Sequence, residues 1–337
     1  ILAVKGLGGF HLICDPFNFQ AVRRLRKIKQ RKVKPLALMA KDLETVYEYA
    51  FLSRAEKDWL TSSRRPIVLL RKKKDIPGLA PQADTLGFML PYTPLHHLLL
   101  QELRVIVATS SNRKDAPIIK DDSEIGPELS DFILTHNREI AMRADDSVLE
   151  VVRSKPVFSR RARGFVPFPQ NVPGSLKSKA RVLAVGGELK NTVSIYKDGY
   201  VITSQFLGDL DDYQNFGYFL ETIDHFKKLF DFKPDLIVSD LQPDFRSTAY
   251  ARSTGLPHFL LQHHFAHVLA PLLEHQLPPP VRVLGVSFDG YGYGDDGQAW
   301  GGEFLLAGYT GYKRYAHLDY VPLPGGDAAV REPWRMA

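Results

Sequence analysis

Three histidines stand within five residues of LQHHFAH, at His263, His264 and His267. Imidazoles four apart on a helix share one face, so His263 and His267 could chelate one divalent ion if a helix starts near Gln262. His264 would point about 100° away. The alternative is a packed or surface pair, which His-x-x-x-His often is. No carboxylate stands at the position directly after His263, where an HExxH metalloprotease needs its general base, so that chemistry is excluded. Asp289, in VSFDG, closes a strand expected to neighbour LLQHH and would add a carboxylate. Two imidazoles and a carboxylate with open positions suit iron or zinc.

Phosphate chemistry is the second possibility. RRLRKIKQRKVK, Arg23 to Lys34, holds eight cations in twelve residues. Such a run is commonly a solvated helix face, and it also fits nonspecific phosphate contacts with nucleic acid. A third reading is a triphosphate or acyl-phosphate pocket, in which Lys29, Arg31 and Lys34 point over a sheet edge. Arginine supplies a planar clamp and lysine a point charge. TSSN, Thr109 to Asn112, follows the apolar run VIVA, and Ser110 and Asn112 could orient a phosphate or carbonyl. Glycine turns occur at GGELKNT and at DGYGYGDDG, the latter with Gly290, Gly292, Gly294 and Gly297. Turns of this kind let backbone amides approach phosphate oxygens, although a plain hairpin uses the same residues.

The elements that must position these groups read as α/β throughout. ILAVKGLGGFHLICD gives two strands around a glycine turn, and FNFQAVRRLRKIKQ a helix with Val22, Leu25 and Ile28 on one face. KPLALMA, RPIVLLRK, LGFMLP and VIVATSS are further strands, with HHLLLQEL a helix, so a mixed sheet is expected. GFVPFPQNVPGSLKSK, residues 164–179, reads as a proline-rich linker. A second unit follows: a strand–glycine turn–strand pattern from RVLAVGG, a helix over 216–230, strand DLIVSD, a helix over 246–254, and strand HFLLQ. Two domains suit 337 residues.

Cys14 is the only cysteine, which excludes an internal disulfide and any cysteine-based zinc site. A reducing, cytoplasmic setting is the simple reading, and no membrane span or signal peptide is expected. The net charge of +6 favours anionic ligands without by itself implying nucleic acid. With no initiator methionine, the chain reads as an excised fragment.

KGLGGFHL, IKQRKVKPLALMA, LPYTPLHHLLL, TSSN and RADDSV occur in the order seen in YrdC/TsaC-like domains, which form acyl-adenylates from ATP. VLAVGGELKNTVSI, LIVSDLQPDFRSTAYA, LQHHFAH, FDGYGYGDDGQAWGGEF and PLPGGDAAVREPWRMA are similar to the carbamoyltransferase domain of the HypF family of hydrogenase maturation. That domain shares the TsaD fold. The matched segments cover nearly the whole chain. The resemblance implies a YrdC-like mixed-sheet domain over 1–163, a linker over 164–179, and half of an actin-like ATPase (TsaD-type) domain over 180–337. It implies catalytic Lys29 and Arg31, with Lys34, Ser110 and Asn112 around a nucleotide. Lys190, Asn191 and Thr192 would form one phosphate loop and Gly290, Gly292 and Gly294 the other. His263, His267 and Asp289 would hold iron or zinc. Departures are Ser111, where glycine or alanine is usual, and KDAPI after it.

By the same resemblance, ATP with Mg2+ and carbamoyl phosphate would be the substrates and HypE the acceptor, through its C-terminal cysteine. The thiocarbamate so formed becomes a cyanide ligand of [NiFe]-hydrogenase. Two rivals are a small-molecule O-carbamoyltransferase of the same fold and an RNA-binding YrdC-type module, including one for double-stranded RNA. Domain order speaks against the first. The absence of aromatic residues within the basic run speaks against the second.

Overall fold

LAVK and FHLIC pair antiparallel as β1 (Leu2–Lys5) and β2 (Phe10–Cys14), with Leu2 opposite Ile13 and Lys5 opposite Phe10. In the computed structural model, which describes residues 1–112 and 116–336, this hairpin sits inside a nine-stranded sheet. Helix α1 (Phe19–Ile28) starts where the Asn18 side chain accepts the Ala21 amide, and it buries Val22 and Leu25. The next elements are β3 (Leu38–Ala40), α2 (Leu43–Tyr49), α3 (Arg54–Thr61), β4 (Ile67–Arg71), β5 (Thr85–Met89) and α4 (Pro94–Glu102). They are followed by β6 (Val105–Ser110), β7 (Phe132–Leu134), β8 (Val148–Val152) and β9 (Lys155–Arg160).

The order across the sheet is β7-β1-β2-β6-β3-β5-β4-β8-β9. β1–β7, β3–β5 and β4–β8 pair parallel and the other neighbours antiparallel, which is the mixed sheet expected. Period-two alternation assigns its faces. Phe10 and Leu12 join Val22, Leu25, Leu38 and Val107 on one side, while Ile13 joins Met39, Ile106 and Ala108 on the other. Helices α2 and α3 and the last three strands carry weaker patterns and were not anticipated. Their starts are nonetheless local, with Asp42 capping α2 and a Ser53/Glu56 capping box opening α3.

Contacts divide the chain into two compact units. The first contains Ile1–Phe168 with Leu189–Thr192 and Thr203–His225; the second contains Pro169–Glu188, Val193–Ile202 and the chain from Phe226 onward. The second unit carries a six-stranded sheet in the order β10-β13-β12-β11-β14-β15. Its strands are β10 (Gln170–Asn171), β11 (Val182–Ala184), β12 (Ser194–Lys197), β13 (Tyr200–Thr203), β14 (Leu236–Asp240) and β15 (His258–Leu261). The proline-rich stretch therefore does more than link, since Gln170 and Asn171 pair with Val201 and Tyr200 at the sheet edge. Helices α5 (Tyr213–Leu229), α6 (Arg246–Ser253) and α7 (His263–Glu274) follow their expected positions within a few residues.

β16 (Val283–Tyr293), β17 (Ala299–Gly308) and β18 (Gly311–His317) form a separate antiparallel sheet. One expectation is corrected here. The strand ending near Asp289 does not pair with LLQ, because β15 takes β14 as its neighbour. Instead α7 lies across β16. A Cβ on Gly285 would fall 2.3 Å from Val268 Cγ2, so only glycine permits this approach. Gly285→Ala is expected to lower the urea midpoint of the second unit, at a loss of about 1–3 kcal/mol. Unchanged unfolding followed by Trp300 fluorescence would contradict this packing.

Candidate functional site

The amino end of α7 is set by Gln262, whose side-chain oxygen accepts the Phe265 amide at 2.9 Å. From that start, His263 and His267 fall on one face and their Nε2 atoms lie 3.2 Å apart. Asp289 Oδ2 is 2.8 Å from His263 Nε2 and 3.4 Å from His267 Nε2. Donor atoms of an ion bound at about 2.0–2.1 Å stand roughly 3 Å apart, so the spacing and chemistry of these three groups fit a metal. All three donors lie within 4.8 Å of one another.

His264 goes elsewhere. It is fully buried, with Nδ1 3.1 Å from the Gln262 amide nitrogen and its ring 6.2 Å from that of Trp300. Burial lowers its pKa, and the neighbouring His263 charge adds to this.

Asp240 was missed in the sequence. It ends β14 and is buried, and its Oδ2 is 2.6 Å from His263 Nδ1. That bond directs the His263 proton to Nδ1 and leaves the Nε2 lone pair facing His267 and Asp289. Hydrogen bonding to Asp240 is also the main reason the His263 pKa is raised. Burial pushes the Asp289 carboxyl up, but the Gly290 amide and His263 outweigh it and hold the carboxyl below its ordinary range. The only signal for Asp240 in the sequence was a lone acid closing an apolar strand, which many loops share.

The two glycine motifs resolve differently. At the first, a Cβ on Gly187 would stand 3.7 Å from His263 Cε1 and 3.6 Å from Asp240 Oδ2, so this turn lies against the histidine site. Lys190, Asn191 and Thr192 belong to the first unit, where the Lys190 amide donates to Asp209 at 2.7 Å and Asn191 bridges to Gly208. At the second motif the tight hairpin is displaced. Gly290 and Gly292 lie within strand β16, whose register shifts between Phe288 and Gly292. The turn itself is closed by Gly294 and Gln298. Gly292 and Gly294 serve close packing, because a Cβ there would meet His264 at 2.4 Å and Trp300 at 2.1 Å.

The polar centre of the first unit gathers at the end of β6. Lys29 follows α1 and is fully buried. Its ammonium donates to Ser110 O at 2.6 Å, and to Asn112 O and Oδ1 at 2.5 Å each. The Ser110 hydroxyl is 2.6 Å from the same Asn112 oxygen. Arg31 reaches Thr109 Oγ1 at 3.4 Å. Lys29, Arg31, Ser110 and Asn112 are thus brought together; Lys34, whose carbonyl accepts from Arg26 and whose side chain is exposed, stands near enough for its charge to help lower the Lys29 pKa. Ser111 is fully buried, and Lys114 and Asp115 of the other departure lie outside the described residues.

The basic run is not uniformly a solvated face. Arg26 donates to the Gly78 and Leu79 carbonyls and Arg24 pairs with Asp131, which leaves fewer cations for an extended phosphate surface.

Burial pushes Lys29 down to about 7, with the Arg31 charge adding to the shift. Between about 7 and its ordinary 10.5, the unfolded chain holds a proton that the folded one has released, so stability rises with pH across this window. Below about 7 both states are protonated and the buried charge opposes folding in full. Lys29→Met is expected to remove that rise, checked by urea unfolding of both proteins at pH 7 and 9.5. Parallel pH profiles would contradict the burial of a titrating ammonium.

These two centres sit on sheets that family profiles match separately. The Sua5/YciO/YrdC profile, described as telomere recombination, matches residues 1–162. The HypF Kae1-like domain matches 177–274, and the second subdomain of the carbamoyltransferase Kae1-like domain matches 285–337. The chain is therefore a YrdC-like domain joined to a Kae1-like transferase domain. Along its whole length it is similar to carbamoyltransferases of the HypF family.

Carbamoyltransferase HypF of Synechocystis is 44% identical over this whole chain, which covers 44% of that relative. HypF of Rhizobium leguminosarum is 42% identical, again over the whole chain and 45% of the relative. Crystal structures of full-length HypF in a phosphate- and nucleotide-bound form and of T. kodakarensis HypF match at 42% identity, with TM-scores of 0.91 and 0.89. Each match covers 97% of this chain, and 52% and 44% of the respective solved chains. The chain thus spans about half the length of its relatives. No helix among the described residues is long and apolar enough to cross a membrane.

Proposed function

We propose that this chain carries out the activation and part of the transfer chemistry of a hydrogenase-maturation carbamoyltransferase. The reading rests on Lys29 gathered with Ser110 and Asn112 at the end of β6, in a chain that aligns over its whole length with HypF carbamoyltransferases. Hydrolysis of carbamoyl phosphate by water gives carbamate and inorganic phosphate; in the first unit a carbamate oxygen attacks the α-phosphorus of Mg2+-bound ATP, forming carbamoyl-adenylate as the bond to the leaving pyrophosphate breaks. Adenylation supplies a good leaving group. Lys29 and Arg31 stabilise the negative charge that builds on the phosphoryl oxygens, and Ser110 and Asn112 fix the ammonium that faces them.

In the second unit His263, His267 and Asp289 would hold iron or zinc, while Asp240 keeps His263 oriented. When bound, the metal would supply Lewis acidity toward a carbonyl or phosphoryl oxygen. Gly290 in this unit and, separately, the Lys190–Thr192 stretch of the first unit are candidates for phosphate contacts. The acceptor is the C-terminal cysteine of HypE, in a cytoplasmic setting that a single free cysteine suits.

The test is ATP–pyrophosphate exchange by the full-length protein with and without carbamoyl phosphate. Exchange should require carbamoyl phosphate, and carbamoyl-phosphate-independent exchange or none at all would defeat the reading.

A further inference from the structure

Opposite Ser110, on the neighbouring strand, stands His11. Directly paired residues of antiparallel strands project to the same face, with Cβ atoms about 5 Å apart, so His11 borders the polar centre at the end of β6. Its Nε2 lies 2.9 Å from Asp146 Oδ2. Asp146 is in turn bound through Oδ1 by Arg163, at 2.8 Å from Nε and 2.7 Å from Nη2. The Arg163 guanidinium stacks 3.5 Å over the Tyr92 ring. The glycine turn makes this possible: the segment carrying Asp146 approaches so closely that a Cβ on Gly8 would stand 2.3 Å from Ala144 O.

Burial alone would push the Asp146 carboxyl up. Arg163 and the His11 bond outweigh it and keep the group ionised. A carboxylate can only accept, so His11 Nε2 carries the hydrogen. With that hydrogen on Nε2, the acceptor of the neutral tautomer is the other ring nitrogen, Nδ1. That Nδ1 is buried without a hydrogen-bond partner among the described residues, and His11 as a whole is 5% exposed. It borders the turn where a Gly6 side chain would stand 3.6 Å away. A buried acceptor left unpaired is unfavourable by about 1–3 kcal/mol, and a ligand donor would relieve that penalty.

We infer that His11 Nδ1 accepts an N–H of the carbamoyl group, so that His11 selects an amide-bearing acyl donor beside the nucleotide site. The inference rests on the functional reading above and deepens it. Asp146 and Arg163 are positioning residues, which set the ring and its tautomer.

Two near-isosteric substitutions separate recognition from support. In His11→Asn the amide oxygen takes the place of Nδ1, whereas in His11→Gln the amide nitrogen takes the place of Nε2 and keeps the link to Asp146. Full-length protein is assayed by carbamoyl-phosphate-dependent exchange, with ATP affinity measured separately. His11→Gln is expected to raise the KM for carbamoyl phosphate about 10- to 100-fold, the size of one lost buried hydrogen bond, with ATP affinity within twofold. His11→Asn is expected to recover most of that loss. The reverse order, or equal loss in both, would overturn the assignment and leave His11 a support for Asp146. Wild-type protein that exchanges without carbamoyl phosphate, or not at all, would overturn both the inference and the functional reading beneath it.

Discussion

Arg31→Ala is expected to lower carbamoyl-phosphate-dependent ATP–pyrophosphate exchange by about 100- to 1,000-fold, the range seen when one preorganised charge partner of a transition state is removed. The expectation follows from how the two cations are held. Lys29 is fixed by three oxygen acceptors at 2.5–2.6 Å and cannot follow a moving phosphoryl group. Arg31 stands beside it on Thr109, close enough that its charge depresses the Lys29 pKa. Its planar fork can meet two phosphoryl oxygens at once, so Arg31→Lys should restore only part of the rate. Lys29→Ala should remove activity as well, but with a loss of stability, because three partly buried acceptors lose their donor. Arg31→Ala is therefore the cleaner variant. Unchanged exchange in Arg31→Ala would remove this site from the chemistry.

Metal content of the purified full-length protein, measured by elemental analysis, is expected to fall below one tenth of wild type in His263→Ala and in His267→Ala. His264→Ala should retain the metal and instead lower thermal stability, since its ring is buried against Gln262 and Trp300. Asp240→Asn is the sharpest variant. It touches no metal, yet an amide at that position no longer fixes the His263 proton on Nδ1. A loss of about 10- to 100-fold in affinity for zinc or iron is expected, as for other groups that orient a ligating histidine. Equal loss of metal in all three histidine variants would show that the 100° offset of His264 had been misread. Full retention in Asp240→Asn would reduce that residue to a packing role.

Much of the fold was legible because its signals are local. The 3.6-residue spacing of Val22, Leu25 and Ile28 foretold α1, and the apolar run VIVA foretold β6. Gln262 stood where α7 needed a cap, and helical periodicity then separated His264 from the pair His263 and His267. α2 and α3 were less legible, since their buried residues are few and their starts rest on capping side chains alone. The proline-rich stretch misled in the opposite sense, because Gln170 and Asn171 pair as an edge strand only when β13 is already in place.

By itself, then, the sequence determined which residue types could do chemistry and which helix faces they share, because side-chain direction within one element follows from backbone geometry. It could not determine what meets across elements. Asp240 lies 23 residues from His263. His11 and Asp146 lie 135 residues apart. These pairs exist only through strand register and through glycine-permitted close approach of α7 to β16 and of the Ala144 segment to Gly8. Register and approach distance are fixed by the packing of whole faces, and no local pattern encodes them.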